Sequence, residues 1–296
     1  MALRVGLIGL GIMGSAYASH LIEAGFPLIA FDVDSAALER ARTRGARAAG
    51  SSKEVAASSD VVITALASIR AVDEAVFGRD GLAAGARNGL IVLDAGTFSL
   101  EVKERVRNGL AAHGALVLDT PVSGTGSQAH VRDLVFFASG DRQAFERARP
   151  VLEALGREVR YVGEFGNGSK LKYIANLLVT IHNLSTAEAI VLAEKAGIDA
   201  ETVLDVLSDS AAASRMLQIR GPMMAARRYE PATMKVEVYQ KDIEIIDSFA
   251  KSLSCPTPLF SASIPFYTRA LSEGRGKQDT ASIVSVLRET AGLPAD

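Results

Sequence analysis

In the first half of the chain, apolar residues fall into short, nearly continuous runs: Val5–Gly9, Leu28–Asp32, Val61–Ala65, Leu90–Asp94, Ala115–Asp119 and Leu134–Ala138. Most are bounded by Gly, Asp or Ser. Runs this short without polar alternation suit strands buried on both faces, as in a parallel sheet covered by helices. The spacing between most of them leaves room for a crossover helix. The last run follows its predecessor more closely and is expected in an antiparallel extension. Residues 1–163 therefore read as an α/β, Rossmann-like, doubly wound dinucleotide-binding domain.

Beyond Gly163 the period changes. Gly166-Asn167-Gly168-Ser169 reads as a turn and helix N-cap region. From Lys170 to Ala196 there is no proline or glycine, apolar residues recur at helical spacing, and Gly197 is placed as a C-cap. This predicts a connecting helix over 168–196 within an all-α C-terminal domain of residues 164–296. Further helices are expected at Ala200–Ser208, Ser214–Ala226, Lys235–Leu253, Leu259–Glu273 and Thr280–Ala291.

Composition narrows the class. The chain has 296 residues, 48% hydrophobic and 22% charged, which is ordinary for a globular protein and enough for two domains. A formal net charge of -2 carries no general footprint for nucleic acid or an acidic membrane. The lone Cys255 makes no internal disulfide. Because His20, His113, His130 and His182 lack metal-ligand spacing, no metal site is expected. No apolar run reads as a membrane span, and Met1-Ala2-Leu3-Arg4 leads into a strand rather than a signal peptide. These features predict a cytoplasmic enzyme without nucleic-acid or membrane partners. The aromatic-poor helical half is expected to bury itself against a second copy, as a homodimer or homotetramer.

Gly9-Leu10-Gly11-Ile12-Met13-Gly14 is GxGxxG, set between an apolar strand and a helical pattern. Its three glycines serve a tight turn, the approach of a pyrophosphate and close helix–strand packing, and the helix start favours the phosphates. Asp32 closes the next strand, 18 residues past Gly14. There it suits the adenosine ribose hydroxyls, and no arginine stands at 33–35 to accept a 2′-phosphate. NAD is expected, with NADP as the other possibility. The plainer reading has Asp32 capping a strand-end turn and Asp34 or Ser35 capping the next helix.

On the connecting helix Lys172 and Asn176 share a face, about 40° apart, whereas Lys170 points about 200° away. Asn183 returns to the Lys172 face. Such a polar stripe on an apolar helix needs partners if buried. A substrate oxygen and a nicotinamide amide would supply them. A solvated stripe, or a lysine capping another helix, would account for the same spacing.

Four blocks in order resemble the β-hydroxyacid dehydrogenase family, which includes 3-hydroxyisobutyrate dehydrogenase, tartronate semialdehyde reductase and, more distantly, 6-phosphogluconate dehydrogenase. They are Gly9–Gly14, Asp119-Thr120-Pro121-Val122-Ser123-Gly124, Gly168-Ser169-Lys170-Leu171-Lys172 with Asn176, and Lys241-Asp242. The resemblance spans nearly the whole chain, including Asp279. It implies that Lys172 is the catalytic general acid/base and that Asn176 holds the reacting oxygen. It also implies that Ser123-Gly124-Thr125 bind the substrate carboxylate. By the same resemblance Leu66, Ala67 and Thr97 border the nicotinamide half of the cofactor, and Lys241 closes the cleft on the cofactor side. Lysine, near ~10.4 when unperturbed, serves as a base near neutral pH only where burial or a neighbouring cation disfavours the ammonium.

The chain departs from the family after Gly124, where Thr125, Ser127-Gln128-Ala129 and Arg132-Asp133 replace smaller residues. Gln128, His130 and Arg132 either read a further polar group on the substrate or lie on the surface of a short helix. Ala175 stands in place of the first of two adjacent asparagines, and Ala67 in place of a proline. The expected activity is NAD(P)-dependent hydride transfer between a small β-hydroxyacid and its semialdehyde or ketoacid. An imine reductase-like enzyme and a non-catalytic dinucleotide-sensing protein are the alternatives, and Lys172 with Asn176 speaks against both.

Overall fold

The computed structural model describes residues 3–294. Its chain divides into two compact units, Met1–Lys172 and Tyr173–Asp296. In the first, six parallel strands stand in the order β3-β2-β1-β4-β5-β6. They are β1 (Val5–Ile8), β2 (Leu28–Phe31), β3 (Arg47–Ala48), β4 (Val61–Thr64), β5 (Ile91–Asp94) and β6 (Leu116–Asp119). Val5 pairs in register with Leu28 on one side and Val61 on the other. The order reverses between β1 and β4, so the connections after these two strands leave the same sheet edge in opposite directions, the place where open α/β sheets take ligands.

The continuous apolar runs have a simple cause. Successive residues of a strand face opposite sides, and here both sides are covered. Leu7, Ile63 and Leu93 pack with Tyr17, Leu21 and Phe145 on one face. Ile8, Val62 and Val92 pack with Val55, Val102 and Val106 on the other. The helices involved are α1 (Ile12–Glu23), α2 (Ser35–Thr43), α3 (Ser52–Ser58), the one-turn α4 (Ile69–Val72) and α5 (Leu82–Gly85), α6 (Leu100–Ala111), α7 (Gly126–His130) and α8 (Arg142–Leu155).

A second, three-stranded sheet holds β7 (Val122–Ser123), β8 (Val135–Ala138) and β9 (Glu158–Tyr161). The run at Leu134–Ala138 is thus not a strand of the main sheet. It lies between an antiparallel β7 and a parallel β9, and an antiparallel bridge from Ser139 to Asp119 ties it to the end of β6. Strands β3, β7 and β9 escaped the apolar pattern because two are only two residues long and β9 alternates charged and apolar residues.

The long helix α9 runs over Asn167–Lys195 and is followed by α10 (Ala200–Leu207), α11 (Arg215–Ala225), α12 (Val236–Ser252), α13 (Pro258–Ser272) and α14 (Ile283–Thr290). After α9 the chain turns at Gly197, whose φ is 82°, and Ile198 N–H donates back to the Ala193 carbonyl at 2.9 Å. That left-handed position suits glycine. The expected segment Thr280–Ala291 begins as a 3₁₀ turn at Thr280–Ser282 before becoming α14. The two units divide at 172/173, later than the change of texture at 163/164, because the first turn of α9 is bonded to the sheet unit.

One expectation needs correcting. Among the described residues α9 is long and apolar enough to cross a membrane by length and composition, with a mean hydropathy of 1.3 over its best window. Its Ser169, Lys172, Asn176, Thr180 and Asn183 are nevertheless buried along one face, and Asn183 donates to the Tyr267 hydroxyl and the Thr280 carbonyl. Those polar contacts are what a core helix needs.

Candidate active site

The glycine-rich loop follows directly from β1. Gly9 has φ 94°, and a side chain there would overlap the Ala65 carbonyl. At Gly14 a Cβ would overlap the carbonyl of Gly9, so α1 can start this close to the strand only without one. Gly11 differs: nothing lies within 4 Å of where its Cβ would be. It is also the N-cap of α1 and makes no side-chain cap hydrogen bond, which leaves the first turn's N–H groups to a ligand from outside. These features fit a pyrophosphate seated on the helix start.

Asp32 is brought onto this loop. Its Oδ2 accepts the Leu10 N–H at 2.5 Å and its Oδ1 accepts the Asp34 N–H at 2.8 Å. Asp34 caps α2 through the Ala36 N–H. The strand-end turn weighed above is therefore present. Each carboxylate oxygen of Asp32 accepts one of these bonds and retains capacity for a second donor. Leu66 and Ala67 lie past the end of β4, and Leu66 Cδ2 approaches the Gly9 position. Thr97, half-buried, lies past the end of neighbouring β5.

Past β6, the chain passes through Ser123, Gly124 (φ 138°) and Thr125, the N-cap of α7. The residues that depart from the family make local bonds. Gln128 Oε1 accepts the Thr125 N–H at 3.0 Å, and its Nε2 donates to Asp133 Oδ2 at 3.0 Å. Arg132 donates to the Glu153 carbonyl, and His130 is exposed. Gln128 thus takes part in a cap and Arg132 in a surface bond. Because the Thr125 N–H is taken, Thr125 has only its hydroxyl to offer, and that also bonds Ser127 at 3.0 Å.

The start of α9 is pinned to the end of β6. Asp119 Oδ2 accepts the Ser169 N–H at 2.7 Å and Oδ1 accepts the Ser169 hydroxyl at 2.8 Å. A side chain at Gly168 would overlap the Phe137 carbonyl, so glycine allows the helix to seat here. Lys172 follows one turn later and is buried.

In the second unit Asn176 is held from α12. Its Nδ2 donates to Asp242 Oδ2 at 2.9 Å, and Asp242 Oδ1 pairs with Lys241 Nζ at 3.0 Å. The Tyr239 hydroxyl donates to the Asn176 carbonyl at 3.0 Å. Burial pushes the Tyr239 phenol well above its ordinary range, and that of Tyr267 up to about 12, so both stay neutral around the helix.

Sequence reasoning assigned no role to Asp242, to the buried His20, or to the buried set Asp94, Lys103 and Ser139. A signal did exist for Lys103: it occupies the buried stripe of α6 with Val102, Val106 and Leu110, where an apolar residue belongs.

Comparison with known proteins agrees with this fold. Residues 4–163 match the NAD binding domain of 6-phosphogluconate dehydrogenase, and residues 166–287 match the NAD-binding region of NADP-dependent 3-hydroxyisobutyrate dehydrogenase. The chain is 32% identical to L-threonate dehydrogenase of Haemophilus influenzae, over 95% of this chain and 94% of that one. It is likewise 32% identical to 3-sulfolactaldehyde reductase of Escherichia coli, over 98% of both. Among solved structures, 3-hydroxyisobutyrate dehydrogenase of Salmonella typhimurium superposes with a TM-score of 0.88 at 31% identity, covering 96% of this chain and 99% of that one.

Proposed function

The chain belongs to the β-hydroxyacid dehydrogenase family, and on that footing we propose that it interconverts a small β-hydroxyacid and its semialdehyde or ketoacid, with Lys172 as general acid/base and Asn176 holding the reacting oxygen. The observation that carries this reading is the seating of α9. Its first turn is bonded to the end of β6, and Lys172 comes one turn later, in the unit whose strands β1, β4 and β5 lead into Gly9–Gly14, Leu66 and Thr97.

A bound nicotinamide dinucleotide supplies or accepts the hydride. The chain does the rest. In oxidation Lys172 Nζ takes the proton of the alcohol, and in reduction it returns that proton to the carbonyl oxygen. Asn176 has one amide hydrogen committed to Asp242, which fixes the orientation of its carboxamide and leaves the second hydrogen for the reacting oxygen. Ser123, Gly124 and the hydroxyl of Thr125 hold the substrate carboxylate. Residues 1–163 carry the dinucleotide, with the pyrophosphate on Gly11, Ile12 and Met13. NAD is preferred because the Asp32 carboxylate would repel a 2′-phosphate at close range, and Lys241 is assigned to the cofactor by the family resemblance. On the opposite face of α9 from Lys172, Ile174, Leu178 and Leu192 are exposed. Covering that stripe with a second copy would give a homo-oligomer.

The test is direct. NAD and a panel of three- to five-carbon hydroxyacids should produce NADH absorbance, with kcat/KM for NAD at least about tenfold above that for NADP. Asp32→Ala should erase most of that preference. Tight NADH binding with no response to any hydroxyacid would turn the assignment toward a dinucleotide sensor.

A further inference from the structure

Lys103 is fully buried on α6, and its ammonium has three acceptors around it: Asp94 Oδ2 at 3.1 Å, Asp119 Oδ1 at 3.2 Å and the Asp94 carbonyl at 3.0 Å. An ammonium has three donors, so these partners use all of them. Asp119 is filled as well. Its Oδ1 takes Lys103 and the Ser169 hydroxyl, while its Oδ2 takes the Ser169 N–H and the Ser139 hydroxyl at 3.3 Å. Ser139 Oγ in turn accepts the Gly168 N–H at 3.0 Å. The Asp94 carboxylate is steadied from the other side by the Gly96 N–H and the Thr64 hydroxyl.

This is a closed, buried network in which every member limits the next. Two carboxylates at the ends of adjacent strands β5 and β6 would repel in the absence of an ammonium. One ammonium leaves the set with net negative charge, and that charge faces the first turn of α9, where the helix dipole is positive. Ser169 is three residues before Lys172, roughly 4.5 Å along the helix axis. A change in where Asp119 stands therefore passes through Ser169 to the lysine.

We propose that Lys103 is a positioning residue of the reaction: through Asp119 and Ser169 it sets the height and rotation of the α9 start and thereby the reach of Lys172. With its donors all engaged, Lys103 is not itself a proton donor to substrate. The proposal rests on the dehydrogenase reading for its kinetic consequence but not for the anchoring itself.

The experiment uses the full chain in three forms: Lys103→Met/Asp94→Asn, which removes one charge of each sign, Ser169→Ala, and the two combined. Melting temperature, NADH affinity, kcat, KM and amide exchange over residues 166–173 are measured for each. We expect folded proteins with NADH affinity within about twofold of wild type. Their kcat should fall at least about tenfold with KM for the hydroxyacid nearly unchanged, and exchange over 166–173 should rise while the strands stay protected. Because both changes cut one chain of contacts, combining them should add less than about twofold to the loss. A kcat within twofold of wild type in the charge-balanced variant, or losses that multiply, overturns the proposal. Unchanged exchange at 166–173 overturns it even if wild type turns over no hydroxyacid, an outcome that would separately defeat the dehydrogenase reading. If the charge-balanced variant fails to fold, Ser169→Ala decides by the same readings.

Discussion

The imidazole Nε2 of His20, on the glycine-loop helix α1, lies 2.8 Å from the backbone carbonyl of Ala129, on α7 beyond Ser123-Gly124-Thr125. A carbonyl only accepts, so Nε2 carries the proton. Between the starts of the same two helices, Ile12 of the glycine-rich loop occupies the space that a side chain at Gly126 would need. The segment expected to hold the dinucleotide and the segment expected to hold the carboxylate thus touch at two points within one unit.

Replacing His20 by Ala removes a buried hydrogen bond, worth on the order of 1 kcal/mol net. We expect a small drop in melting temperature and a KM for the hydroxyacid raised several-fold, with NADH affinity unchanged. Steady-state kinetics beside a cofactor titration reads this. A variant with normal KM and weakened NADH binding would show that the contact serves α1 instead.

The two glycines of the loop should separate by phenotype. Gly14→Ala places a methyl on the Gly9 carbonyl, and the protein should be markedly less stable or insoluble. Gly11→Ala meets no protein atom, so its melting temperature should match wild type while NADH affinity falls at least about tenfold. Thermal melts with and without cofactor distinguish the two. Equal NADH binding in Gly11→Ala would deny the pyrophosphate its place there.

Lys172→Ala should lose at least about 100-fold in turnover, since general acid–base catalysis is worth ~10²-fold or more, and keep its NADH affinity. Asp242→Ala is a milder test of the same site. It releases the Asn176 carboxamide, and kcat should drop by about tenfold because the reacting oxygen is no longer held in one orientation. A Lys172→Ala protein retaining more than about a tenth of wild-type rate would contradict the assignment.

Acid stability should reflect Asp279. Burial alone would raise its carboxyl, but the Arg220 guanidinium at 3.3 Å and bonds from the Ala281, Thr233 and Met234 N–H groups and the Thr233 hydroxyl outweigh it, and the group is held below the ordinary carboxylate range. With the folded value below the unfolded ~3.9, this carboxylate stabilises the protein above about pH 4, and that contribution fades as pH falls through the folded value. Urea unfolding at pH 6, 4 and 3 should show a shallower acid loss in Asp279→Asn than in wild type. Arg220→Met, which strands the buried carboxylate, should cost about 3–5 kcal/mol at neutral pH. Parallel acid profiles for wild type and Asp279→Asn would refute the linkage.

The motifs were legible for a physical reason. Gly9 and Gly14 are needed by the backbone itself and Gly11 leaves open space at the helix start, so they leave a mark at fixed spacing, and Lys172, Asn176 and Asn183 share a face by helix geometry alone. Gln128 shows the opposite case. Its bulk and polarity stood out in the chain, yet its partners are the Thr125 N–H and Asp133, a local cap that composition does not distinguish from a substrate contact.

What the sequence determined by itself were the longer elements, their order and the chemistry available on each, because strand burial, helix periodicity and tight turns depend on neighbours a few residues apart. What only the tertiary structure decided were the partners of the polar residues. Ser169 meets Asp119 across 50 residues and Asn176 meets Asp242 across 66. A buried carboxylate takes its donors from whichever elements the packed fold brings beside it, and no local pattern records which those are.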